Sequence, residues 1–430
     1  MKHTALALHI NFINIAFSFS VVPQEKLTMK RVSYLFFIFL FGCGSDSSTE
    51  QTRLFSTQVA LGEALYFDKA LSANRTQSCA TCHNPEHAFI DPRLDTSGKV
   101  SAVSQGDDGF SFGDRNAPTI AYARFNPEFK LAEHARINSQ QPDYQGYIGG
   151  QFLDGRASNL KNQAAGPPLN SVEMGMPDKF SVVQRIMDNE DYSLAFKSLF
   201  GGSIFDNTEA AYDAMADSIA SFEKTDEFSP FDSKYDRSLR GEYQYDPLSK
   251  ASRGKALFFS QQFTNCATCH QLHRNGHKQE TFTSYEYHNI GVPKNLTARA
   301  LNGSAEDFTD EGLLGNEEVT QLTERGKFKV PTLRNIAVTG PYMHNGVFNE
   351  LKTVIHFYAH FLSDSVHSFN PETGTAWREA EVEDTVNFIE LEDGNQFNEE
   401  DVEAMVCFLR TLTDARHEHL IVENGINCGE

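Results

Sequence analysis

The sequence predicts an all-α chain made of two related helical units joined by long irregular loops, and three observations point there. A segment occurs twice: Gly62-Glu63-Ala64-Leu65-Tyr66-Phe67 leads to Cys79-Ala80-Thr81-Cys82-His83, and Gly254-Lys255-Ala256-Leu257-Phe258-Phe259 leads to Cys266-Ala267-Thr268-Cys269-His270. Apolar residues recur at helical spacing, with Tyr212, Met215, Ala216, Ile219 and Phe222 on one stripe of 208–225. Val402, Met405, Val406, Leu409 and Leu412 do the same in 398–412. No sustained period-two alternation marks a strand.

In chain order, the amino terminus reads as an export signal. Met29-Lys30-Arg31 precedes an apolar run from Tyr34 to Phe41, which ends in Leu40-Phe41-Gly42-Cys43 and turns polar at Ser45-Asp46-Ser47-Ser48. A basic flank, a short apolar stretch and a terminal cysteine read as a signal peptide over 29–42 with a lipoprotein-type cleavage site. The run falls short of the roughly 20 apolar residues of a membrane span. Residues 1–28 read as an upstream extension and 43–56 as a linker. Lipid on Cys43 would tether the mature chain to a membrane surface, on the periplasmic face or the cell surface.

The first helical domain is expected over 57–225, a connection rich in Asp, Ser and Tyr over 226–249, and the second domain over 250–430. Asn398, three residues before Asp401, reads as a helix N-cap. A polar stretch, 295–324, reads as a surface insertion with solvated acidic residues. Cys407 and Cys428 either pair and pin the tail in an oxidising compartment, or Cys407 is a buried free thiol.

The duplicated pentapeptide carries the chemistry. In Cys-x-x-Cys-His the two thiols can form thioethers to the vinyl groups of a haem while the adjoining imidazole reaches the iron. A zinc knuckle or a thioredoxin-like dithiol does not need that histidine, and zinc would want further soft ligands at similar spacing. Cys79, Cys82 and His83, and then Cys266, Cys269 and His270, are therefore expected to hold two c-type haems. A length of 430 residues with 40% hydrophobic content suffices for two cores. The formal charge of −21 argues against nucleic acid as a partner. It suits either a basic redox partner or simple solubility.

Blocks outside the pentapeptides resemble the bacterial di-haem cytochrome c peroxidase and MauG family. They are Arg115-Asn116-Ala117-Pro118-Thr119, Phe152-Leu153-Asp154-Gly155-Arg156, Pro168-Leu169-Asn170-Ser171-Val172-Glu173-Met174, Phe328-Lys329-Val330-Pro331-Thr332-Leu333-Arg334-Asn335 and Pro341-Tyr342-Met343-His344-Asn345-Gly346. With the haem motifs they extend from about residue 57 to residue 413. The resemblance implies two cytochrome c-like helical domains, each around one covalently bound haem, with a calcium ion between them. It implies an amino-terminal peroxidatic haem on His83 and a carboxyl-terminal electron-transfer haem on His270. Glu173 would act as acid and base toward hydrogen peroxide, with Gln163 orienting peroxide or water and Pro167 completing the pocket. Calcium would take oxygens from Asn116, Thr339 and Pro341, as a hard cation prefers.

The distal ligands follow from the same resemblance. Between His83 and Arg115 candidates are scarce, so the first haem is expected to be five-coordinate, with His134 as the alternative. At the second, the family's ligand position falls on Tyr358, with Met343 and His356 competing. An anionic phenolate would give that haem a lower potential than methionine would. One departure concerns the usual inter-haem tryptophan, whose place is taken by Leu153; Tyr147 or Phe152 would have to assume part of its role. Three function classes stay open. One is a peroxidase fed by a small cytochrome c or cupredoxin; the second is a MauG-like oxidase that modifies a partner protein; the third is a non-catalytic electron carrier. Assembly as a homodimer is also left open.

Overall fold

The computed structural model describes residues 55–429 apart from 138, 140, 364, 396 and 397. The signal segment 29–42, the 1–28 extension and Cys43 lie outside the described residues. Among those described, no helix is long and apolar enough to cross a membrane.

The duplication in the sequence is a duplication of helix pairs. Helix Gln58–Phe67 packs across Thr208–Glu223, and helix Lys250–Phe258 packs across Glu399–Arg410. In both pairs the first helix is capped by a hydroxyl residue, Thr57 or Ser249, and the second by an asparagine, Asn207 or Asn398. Asn398 and Asp401 form the reciprocal capping box that their spacing suggests. A Cβ on Gly62 would fall 1.9 Å from the Ser218 carbonyl oxygen, and one on Gly254 would fall 1.9 Å from that of Ala404. Glycine opens both repeats because the two backbones touch at each crossing.

Each pair nucleates its own core. Leu61, Leu65, Tyr66, Met215, Ile219 and Phe222 belong to the first, and Phe258, Ile355, Phe357, Val402, Met405 and Phe408 to the second. The 226–249 stretch feeds both: Phe228 and Phe231 join the first core and Tyr235 the second. Arg334, fully buried, pairs with Asp236 and donates from Nε to the Glu280 carbonyl at 2.9 Å. Its guanidinium lies 4.9 Å from the Phe231 ring centre and 5.2 Å from that of Tyr122. Asp414 then accepts from the Tyr122 hydroxyl at 2.5 Å and from Asn335 Nδ2 at 2.8 Å, tying residues of both halves to one carboxylate.

The helical fold class holds with a little strand added, while the reading of 295–324 needs correction. The chain is mostly helical, yet it contains an antiparallel hairpin, Lys130–His134 with Tyr144–Ile148, and two shorter two-stranded ladders. The hairpin escaped the period-two test because Leu131 points to solvent, 65% exposed, so burial does not follow apolarity along the strand. The acidic residues of 295–324 are not uniformly solvated. Asp310 is buried and takes a two-pronged grip from Arg115, Nε to Oδ2 and Nη2 to Oδ1, both 2.7 Å. Cys407 and Cys428 form a disulfide that fastens the tail to the last long helix.

Candidate haem-binding and active site

Each pentapeptide forms one helical turn, Cys79–Cys82 and Cys266–Cys269, with the histidine as its C-cap. The two histidines are then held alike. His83 Nδ1 lies 3.2 Å from the Phe89 carbonyl oxygen, and His270 Nδ1 lies 3.3 Å from that of Phe282. A proton fixed on Nδ1 leaves Nε2 as the free donor for iron and raises its basicity. Phe89 and Phe282 both adopt left-handed backbone conformations, φ 59° and 54°, which are costly for a bulky residue. In both halves that conformation aims the phenylalanine carbonyl at the adjoining histidine.

The next layer is duplicated too. Thr119 Oγ1 donates to the Ala88 carbonyl at 2.7 Å and Thr332 Oγ1 to the Thr281 carbonyl at 2.6 Å, each just before the left-handed phenylalanine. The preceding prolines, Pro118 and Pro331, each turn a carbonyl toward the histidine. Burial pushes both imidazoles down, His270 to about 4 against the pull of the Phe282 and Pro331 carbonyls, so both are neutral and ready to ligate.

A cavity of about 710 Å³ is lined from both halves: Cys82 and His83 from one, Cys266, Cys269 and His270 from the other. Its walls and the two fixed imidazoles suit two haems, each attached through a cysteine pair. Gln163, Pro167 and Glu173 line the same cavity. Gln163 sits on the short helix Leu160–Ala164, capped by Asn159, and Pro167 opens the next turn. Glu173 Oε1 accepts from Asn170 Nδ2 at 2.8 Å. Burial raises the Glu173 carboxyl above its ordinary 4.5, with Arg156 and Asn170 pulling the other way. The Glu173 backbone is also held, its carbonyl accepting from Asp107 N–H at 2.7 Å. Burial would raise Asp107, but hydrogen bonds from Thr76, Asn74 and Ser72 outweigh it and hold it at about 2.

Tyr358, on helix Leu351–Ala359, faces the cavity, and its phenol is pushed up by burial and then by the sulfurs of Cys269 and Cys266. The tyrosine therefore stands beside the second haem motif. Met343 also lines the cavity, whereas His356 turns away and bonds Glu399 at 3.0 Å. His134 lies in the hairpin, 3.4 Å from Glu286, and is not part of the cavity wall. Asn116, Thr339 and Pro341 all line the wall, and Asn116 gives its Nδ2 to the Ala102 carbonyl, which leaves its amide oxygen for a hard cation. Leu153 and Phe152 line the space, while Tyr147 stacks on Phe129 in a separate cluster.

Sequence reasoning missed Lys329. Its amine is buried in the cavity wall against the Gly150 carbonyl, and burial lowers it to about 7 despite the Asp154 charge. Its backbone N–H donates to the Leu153 carbonyl at 2.9 Å. Lys329 lies in the run Phe328-Lys329-Val330-Pro331, and a single lysine there gives no sign of burial.

Known proteins resemble this chain over most of its length. Residues 56–244 match the family model described as di-haem cytochrome c peroxidase, and residues 251–393 match that of cytochrome c. The methylamine utilization protein MauG of Paracoccus denitrificans is 48% identical over 367 residues, covering 85% of this chain and 90% of the relative. The cytochrome c peroxidase Ccp of Escherichia coli is 31% identical over 291 residues, covering 67% of this chain and 50% of the relative. Among solved structures, the diheme peroxidase BthA from Burkholderia thailandensis superposes with a TM-score of 0.72 at 28% identity, covering 87% of this chain and 90% of that one.

Proposed function

The chain belongs to the di-haem cytochrome c peroxidase and MauG family, and from that premise we propose that it reduces hydrogen peroxide on the His83 side of its cavity, with electrons from a protein donor entering on the His270 side. Two bound haems supply the redox chemistry, and the chain supplies everything around it. His83 and His270 would hold the irons through Nε2, with Nδ1 fixed by a carbonyl. Gln163 orients peroxide. Glu173 takes the proton from the near oxygen and returns it to the far one, which departs as water. Two electrons and two protons complete the conversion of one peroxide to two waters.

The observation that carries this reading is a carboxylate of raised proton affinity lining the same cavity as His83, with Gln163 and Pro167. The experiment is stopped-flow mixing of Glu173→Gln with hydrogen peroxide. The variant should keep two haems per chain and react about 10²- to 10⁴-fold more slowly. Unchanged kinetics would remove Glu173 from the mechanism.

A second reading, MauG-like oxidation of a partner protein, is supported by Tyr358 at the second site and by the 48% identity to MauG. Leu153 weighs against it, because an aliphatic side chain cannot relay a radical between the haems. Steady-state turnover with a reduced small cytochrome separates the two. Calcium on Asn116, Thr339 and Pro341 belongs to the same proposal, as does a lipid anchor on Cys43. Cys43→Ser should release the exported protein from membranes.

A further inference from the structure

Helix Leu351–Ala359 presents Tyr358 to the cavity, and two residues earlier it presents His356 to another face. On that outer side His356 meets His367 from the following loop and Glu399 from the first turn of helix Glu399–Arg410. One ligand atom from each residue lies within 4.8 Å of the other two. His356 Nε2 is already 3.0 Å from Glu399 Oε2, and the imidazole rings are 4.5 Å apart. Tetrahedral zinc, with bonds of about 2.0–2.1 Å, sets its ligands about 3.3–3.5 Å apart, so the triad needs only a small closure.

We propose that His356, His367 and Glu399 bind one borderline divalent transition-metal ion, with zinc(II) as the reference, at a site separate from both haems and from the calcium ligands. Two imidazoles and one carboxylate match that class of ion rather than calcium or magnesium, which take oxygen ligands throughout. Neighbouring contacts restrain the triad. Lys352 holds the other oxygen of Glu399, Trp377 Nε1 donates to the His367 carbonyl at 2.7 Å, and His367 N–H donates to Ser365 Oγ at 3.1 Å. Both histidines are buried while Glu399 is half-exposed, which gives the ion a route in from solvent. Bound metal would clamp the Tyr358 helix to the helix beginning at Glu399.

The test is equilibrium dialysis of the haem-loaded, chelator-treated protein against zinc(II), with elemental analysis. One zinc per chain should be retained beside two irons. His367→Ala and Glu399→Gln should each weaken zinc binding more than about 100-fold, beyond what losing a supporting contact costs, with haem content and the Soret band unchanged. Glu399→Gln serves as the conservative variant, because it keeps the size of a side chain that is 51% exposed and removes only its charge. Failure to retain zinc, native-like zinc affinity in both variants, or displacement of the zinc by equimolar calcium would each overturn the proposal.

Discussion

Glu223 is 4% exposed on helix Thr208–Glu223, and its Oε2 has no hydrogen-bond partner among the described residues. Burial raises its carboxyl from 4.5 to about 8, with only Lys224 pulling the other way. The folded state therefore holds a proton that the unfolded chain releases near pH 4.5. The stability this proton confers is fully present below pH 4.5 and is lost as pH rises through about 8. At 1.36 kcal/mol per pH unit over that interval, the ceiling is about 5 kcal/mol, a large part of a typical folding free energy. Urea unfolding of the wild type and of Glu223→Gln, followed by far-UV circular dichroism from pH 4.5 to 9, isolates the effect. The stability difference in favour of the variant should grow with pH up to about 8 and then level off. A difference curve that stays flat across that range would refute the reasoning.

Glu173 gives a second pH signature: because burial raises its carboxyl above 4.5, the peroxide rate should fall on acidification with a midpoint above that value, and this limb should vanish in Glu173→Gln. Gly254→Ala would drive a methyl to 1.9 Å from the Ala404 carbonyl and force the helices apart, costing about 1–3 kcal/mol in thermal or urea melts. Tyr358→Met should raise the potential of the second haem in a spectroelectrochemical titration, and an unmoved potential would assign the ligand elsewhere.

Much of the architecture was legible because it was written twice. The paired Gly-x-Ala-Leu segments and pentapeptides announced two related helical units and two haem sites; that Gly62 and Gly254 mark helix crossings came from the fold. A second repeat went unread. Ala117-Pro118-Thr119 and Val330-Pro331-Thr332 share only a Pro-Thr pair, yet both thread a proline carbonyl and a threonine hydroxyl to the histidine loop. Two identical residues are too weak a pattern to find without the fold. Glu223, Lys329 and Asp310 were equally invisible, since a lone charged residue has no neighbours in sequence that betray its burial. Tyr358 was reached through family resemblance alone; its own helix reads as an ordinary amphipathic segment.

Phe228, Phe231 and Tyr235 leave the two halves unable to part. A fragment ending at residue 225 would lose two aromatic rings from its interior, and one starting at 250 would lose a third, along with Asp236, the carboxylate that neutralises Arg334. The protein should melt in one transition, and neither piece should survive expression by itself.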